Sequence, residues 1–258
     1  NIDFYDDLKL TRVADRIHRK DEKQVLKSAD EVSVISSGMA RDFKSIHARD
    51  YAVITNGFDP EDFNKLSGTE LDKDFTISHI GTMVKTRNPE TLWKTISTLI
   101  NENELFEKKL KIKLVGKVDR EVVESIVKNG LIKHIEKIDY VPHQEVVELQ
   151  QKSHVLLLLI NDTPNAKLIL TGKFFEYLAA KRPVLCIGPE DGDASRIINE
   201  LDAGFACNYI DNDKMRSSLL ALFDKYLSND QFTINTDINK FSRKNLTKKM
   251  ANLLNGIA

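Results

Sequence analysis

The chain has 258 residues, with 38 Lys and Arg against 39 Asp and Glu, so its net charge of −1 creates no field that favours nucleic acid or an anionic surface. Apolar residues make up 41% and charged residues 30%, as in a globular chain with a full core, and the longest apolar run, Val155 to Ile160, falls far short of the ~20 residues of a spanning helix. Cys186 and Cys207 are the only cysteines and lack metal or redox spacing, which fits a reduced, cytoplasmic protein.

Residues 1–31 read as a charged helix, with no basic-then-apolar leader before it, and such a start suits an excerpt of a longer protein. Lys9, Arg12, Arg16, Arg19, Lys23 and Lys27 recur every three or four residues and so share one face. That face fits an anionic membrane or lipid-linked acceptor. With Asp15, Asp21 and Glu22 interleaved, it equally fits a solvated surface. Strand-length apolar bursts at 32–36 and 52–55 follow, with a helix between them. The turn cluster Asn56-Gly57-Phe58-Asp59-Pro60 and the polar stretch 66–74 then mark a break.

Beyond the break, apolar bursts at 75–80, 112–115, 135–141, 154–160, 184–187 and 204–207 alternate with helical patterns at 89–101, 120–128, 144–151, 172–180, 194–201 and 214–227. This alternation predicts an α/β fold with a Rossmann-like, doubly wound parallel sheet, and the run HVLLLLI predicts a central strand buried on both faces. Leu246, Met250, Leu253 and Leu254 predict a docked amphipathic helix at the C-terminus. The expected organisation is a partial N-terminal domain at 1–56, a crossing at 57–74, a ligand-binding domain at 75–240 and the last helix at 241–258.

Several common chemistries are excluded by motif. There is no GxGxxG, no GxxxxGK[ST], no GxSxG, and no His or Cys spacing suited to zinc. What remains are loops where strands meet helices. Gly81 and Thr82 close the strand at 75–80, where a ligand can approach the backbone and the coming helix N-terminus favours phosphate. Lys85 and Arg87 in that loop suit a diphosphate, or are solvated cations of an ordinary loop. Thr171-Gly172-Lys173 opens another helix, with Thr171 as a candidate cap and Lys173 a cation placed at the positive helix end.

Glu176, one turn in, could accept two hydrogen bonds from a vicinal diol such as ribose, or be a surface Glu that suits the helix dipole. Val141 and His143 form a turn that could meet a nucleobase edge, or His143 simply caps a helix. Asp193 reads as a helix N-cap, and its neighbours Glu190 and Asp191 argue against bare phosphate in that loop.

Together these segments resemble the retaining GT-B glycosyltransferases, family 4 in particular, from about Glu22 to the end. Val53-Ile54-Thr55-Asn56-Gly57-Phe58-Asp59, with Phe63, resembles V-I-x-N-G-[VF]-D-x-x-x-F at the family's interdomain crossing. His79-Ile80-Gly81-Thr82 with Lys85 and Arg87 resembles the loop and basic pair that hold the donor diphosphate. Glu176-Tyr177-Leu178-Ala179-Ala180-Lys181-Arg182-Pro183 resembles E-x-[LM]-A-x-[GK]-x-P, whose Glu binds the donor ribose. Many members carry another Glu eight residues earlier, where this chain has Leu168, and Thr171-Gly172-Lys173 resembles a variant subgroup in which the Lys would meet the diphosphate.

The resemblance implies a UDP- or GDP-type nucleotide-sugar donor, no cofactor or metal, and a saccharide or lipid-linked acceptor. It also implies that the catalytic side chain and any peripheral membrane contact lie in an N-terminal domain largely outside this sequence, so that these residues alone would be inactive. A GT-B-fold sugar-nucleotide 2-epimerase and a non-catalytic nucleotide-sugar-binding module are the alternatives.

Overall fold

The computed structural model describes residues 9–64, 69–229, 232, 234 and 237–257. The first residues of the expected opening helix, 1–8, and the start of the polar stretch at 66–74, residues 66–68, lie outside them. The N-terminal elements are α1 (Arg12–Ser28), β1 (Ser33–Val34), α2 (Ser37–Ile46) and β2 (Ala52–Val53), and β1 and β2 pair in parallel. Thr11 caps α1 by accepting from the Ala14 N–H, so Lys9 precedes the helix and drops out of the expected cationic stripe. Along α1, Arg19 pairs with Asp15 at 2.9 Å on an exposed face.

A six-stranded sheet forms the body of the molecule. After α3 (Pro60–Asn64), its strands are β3 (Phe75–Ile80), β4 (Leu110–Val115), β5 (Ile135–Ile138), β6 (Val155–Leu159), β7 (Val184–Ile187) and β8 (Gly204–Cys207). They run parallel in the order β5-β4-β3-β6-β7-β8. The connecting helices are α4 (Glu90–Glu102), α5 (Glu104–Lys109), α6 (Arg120–Lys128), α7 (His143–Lys152), α8 (Gly172–Ala179), α9 (Asp193–Glu200) and α10 (Asn212–Leu227). The predicted Rossmann-like α/β fold is the observed one. The short α5, capped by the Asn103 side chain, was not foreseen.

Side-chain alternation along β6 shows how the sheet is buried. Leu156 and Leu158 face a core shared with Val147 of α7, Phe174, Phe175 and Leu178 of α8, and Ile198 of α9. Val155, Leu157 and Leu159 face the opposite core, with Leu92, Trp93 and Ile96 of α4, Val122 of α6 and Leu219 of α10. Period-two alternation with apolar residues on both faces is what a doubly wound sheet demands.

The chain end returns to the crossing segment. Phe58 N–H donates to the Phe241 carbonyl at 3.2 Å, and Arg243 N–H donates to the Phe58 carbonyl at 2.8 Å. From there runs α11 (Arg243–Asn255), capped by Ser242. Leu246 is buried, but Leu254 is 57% exposed, so this helix docks through its first turns rather than along the whole predicted stripe. Among the described residues no helix is long and apolar enough to cross a membrane.

Candidate functional site

The strand order reverses direction between β3 and β6, and α4 and α8, which follow those strands, pack on opposite faces. The crevice at the C-terminal end of such a reversal is where open α/β sheets bind ligands. Gly81 sits at its floor with φ +118, a conformation that L side chains rarely adopt, and its N–H donates to the Val115 carbonyl at 2.8 Å. A Cβ on Gly81 would lie 2.7 Å from Lys173 Nζ, so the bare backbone lets the ammonium of α8 settle against the end of β3. Gly116, which follows β4, has φ +102, and a Cβ there would lie 3.3 Å from the Gly81 carbonyl, so the two glycines pack backbone to backbone.

Tyr177 holds these elements together. Its buried hydroxyl accepts from the Ile80 N–H at 3.1 Å, where the β3–β6 ladder has already stopped at Ser78 and Leu156. Burial raises the phenol pKa well above its ordinary value, so the hydroxyl stays protonated. Neither Tyr177 nor Gly116 was singled out from sequence, although Gly116 ends a strand in the same way as Gly81.

Lys173 and Arg87 come together beside this floor. Residues 85–87 form a 3-10 turn, fixed by the Lys85 N–H donating to Asp119 Oδ2 at 3.0 Å, with Lys85 and Thr82 exposed and Arg87 half-buried. Burial, and next the charge of Arg87, push the Lys173 pKa down to about 8. Two like charges close enough to disfavour each other need an anion. Among the described residues Lys85, Arg87 and Lys173 have no carboxylate within ion-pair distance.

Buried polar atoms here also lack partners: Arg87 Nε, Thr171 Oγ1 and His79 Nε2, and Gln150 Oε1 beside Glu176. Thr171 does occupy the N-cap position of α8, but its hydroxyl makes no capping bond. His79, just below, is held neutral, its pKa brought down to about 3 by burial and by Lys173, while Nδ1 lies 3.1 Å from the Leu157 carbonyl.

Glu176 is half-buried one turn along α8, and its Oε2 accepts from Gln150 Nε2 at 3.2 Å. Gln150, on α7, is buried and was not anticipated. Nothing in its sequence context marked it. Val141 and His143 lie beyond the edge strand β5, which stops at Ile138 rather than at the expected residue 141. Val141 is half-buried. His143 is the first residue of α7 after Pro142 at the cap position, so it does not cap that helix, and its Nε2 lies 3.0 Å from Asp62 Oδ2.

The acidic loop after β7 differs most from expectation. Gly192, not Asp193, is the N-cap of α9. The buried Asp193 carboxylate instead accepts from the Gly38 N–H at 3.2 and 3.0 Å, at the N-terminus of α2, and pairs with Arg196, while Arg41 stands 3.7 Å away. Glu190 and Asp191 are matched by Lys214 and Lys167, each at 2.6 Å, so the three carboxylates do not leave this loop unbalanced. Leu168 lies in the 3-10 turn before α8 and packs on Gly38, where a Cβ would lie 2.5 Å from its Cδ2. Asn56, just before the crossing segment, donates to the Leu170 carbonyl at 3.0 Å and so steadies the loop that carries Thr171.

No protein-family model matches the sequence, and no curated protein matches it at a significant level. Solved structures do match by shape. A glycosyltransferase from Rickettsia africae aligns over 93% of this chain with TM-score 0.75 and 18% identity. TarM from S. aureus, solved with UDP, aligns over 97% with TM-score 0.71 and 15% identity. HepE from Anabaena, solved with UDP and glucose, aligns over 96% with TM-score 0.70 and 13% identity. This chain spans 67%, 48% and 68% of those three chains, respectively. The shared feature is the fold.

Proposed function

We propose that this chain is the nucleotide-sugar-binding part of a GT-B glycosyltransferase that transfers a sugar to a saccharide or lipid-linked acceptor. The observation that carries the reading is the set of cations and buried polar atoms without partners at the sheet reversal: Lys173, Arg87 Nε and Thr171 Oγ1 around Gly81. A diphosphate supplies the missing acceptors and charge. As the anomeric C–O bond breaks, negative charge collects on the leaving diphosphate, and donors already fixed in place stabilise it without reorganising. Lys85, Arg87, Lys173 and the N–H groups of Thr82 and Gly172 fill that role over the bare backbone of Gly81, whose own N–H is taken by the Val115 carbonyl, with no metal required.

Glu176 fixes the ribose through its two hydroxyls, held in orientation by Gln150, and Val141 with His143 meets the base of a UDP- or GDP-type donor. Retention of anomeric configuration follows from the family resemblance. By the family resemblance, the acceptor side belongs to an N-terminal domain, to which residues 1–56 are assigned. That domain also makes any membrane contact. A second reading, donor binding without transfer, draws on Leu168, an apolar residue packed against Gly38 where many family members have a carboxylate.

A thermal-shift panel of UDP, GDP, ADP and CMP with their sugar conjugates tests the proposal, since a ligand that binds only the folded state raises its melting temperature. Stabilisation by UDP or GDP and their conjugates, and its loss in Glu176→Ala, is expected. No stabilisation by any nucleotide contradicts the assignment.

A further inference from the structure

A second cavity, of about 330 Å³, opens at the opposite edge of the sheet, where β3, β6 and β7 begin. That volume is at the lower end of small-molecule pockets. It is lined by Arg182, His154, Lys73, Lys225 and Tyr226, with Asp72 as its one carboxylate. Asp72 is already engaged by Lys113 at 2.7 Å, and the nearby Asp74 lies 4.0 Å from Lys109. Arg182 has no such partner among the described residues. Its Nε is buried without an acceptor, and burial lowers the guanidinium pKa from its ordinary value. An uncompensated cation held partly out of water is unfavourable unless an anion joins it.

His154 adds a directed donor. Thr76 N–H donates to His154 Nδ1 at 3.2 Å, so Nδ1 carries a lone pair and the proton of the neutral ring sits on Nε2. The ring is neutral near pH 7, its pKa brought down to about 4 mainly by burial. The Nε2–H has no acceptor among the described residues. Tyr226 packs edge-on against this imidazole, with ring centroids 4.8 Å apart, and its hydroxyl is committed to the Lys73 carbonyl at 3.0 Å. The wall thus combines the apolar faces of Leu71, Pro183, Leu222 and Tyr226 with the donors of Arg182 and His154 and the side-chain amide of Asn229.

We propose that this cavity binds a small oxyanion, a phosphate ester or carboxylate on an apolar or aromatic body, held by the Arg182 guanidinium and the His154 Nε2–H with Lys73 and Lys225 alongside. The site is separate from the donor crevice: the two lie at opposite ends of α8, so the inference does not depend on the function proposed for that crevice.

Phenyl phosphate, benzoate and inorganic phosphate serve as probes, titrated calorimetrically at constant ionic strength. A Lys173→Met background suppresses anion binding at the other edge. Phenyl phosphate or benzoate is expected to bind more tightly than inorganic phosphate, and Arg182→Ala to weaken that binding about tenfold or more, the range for a hydrogen bond to a charged group. The relative affinities of phenyl phosphate and benzoate say which oxyanion is preferred.

In ligand-free buffer Arg182→Ala should melt no lower than its parent, because it removes an unpaired charge. Equal probe affinity with and without Arg182, or no binding of any probe, overturns the proposal. So does a clear fall in ligand-free melting temperature for Arg182→Ala, or failure of that variant to fold, since either outcome gives Arg182 a structural partner instead.

Discussion

In the proposed site Lys173 is costly to the free protein and serves the bound diphosphate. Its folded-state pKa of about 8 lies below the 10.5 of an unperturbed lysine. Between those values the unfolded chain holds more protons than the folded chain, so stability attributable to Lys173 rises with pH across that window. Lys173→Met should therefore be more stable than the parent in urea unfolding at pH 7, with the difference shrinking towards pH 10. An unchanged difference across that range would contradict the account. Under the proposed function, nucleotide binding should have the opposite slope, because the diphosphate would need the charged ammonium: affinity should fall as pH rises above about 8, and Lys173→Met should flatten the profile. The sequence showed Lys173 at a helix start beside a glycine. Its contact with Gly81, 92 residues away in the chain, depends on the sheet bringing β3 and α8 together, which no local pattern encodes.

Among the elements, β3 and α8 form the working pair, and Tyr177 ties them. Tyr177→Phe leaves the buried Ile80 N–H without its acceptor, a loss of about 1–3 kcal/mol. Denaturant unfolding measures that cost, and a neutral result would mean that the strand end re-pairs. All eight strands were legible in the sequence, because runs such as HVLLLLI and PVLCIG are apolar and bounded by turn residues. The assignments that changed sit at helix ends. Asp193 and Thr171 have the right residue types for capping, yet one reaches across to Gly38 and the other makes no capping bond. Capping preference describes a helix in isolation, and here tertiary partners decide.

At the scale of the molecule, Asp193 joins the N-terminal segment to the body. Its buried carboxylate meets the backbone at the positive end of α2 while paired with Arg196. Asp193→Ala should lower stability by about 1.5–3 kcal/mol, the range for a charge-assisted hydrogen bond, and free α2 to exchange its amide hydrogens faster than α4. Protection of α2 equal to the parent's would show that Leu168 and Asn56 hold the segment without it. The same contact places the N-terminal elements beside the loop that leads into α8, the loop that carries Thr171.

Calorimetric titration of UDP and GDP into the parent, Lys173→Met and Glu176→Ala proteins at pH 7 tests the central claim most directly. Binding of at least one nucleotide to the parent is predicted, weakened about tenfold or more by each substitution, as removal of a charged hydrogen-bonding partner requires. Binding that neither substitution changes, or no binding to the parent, would contradict a nucleotide diphosphate site between Gly81 and α8.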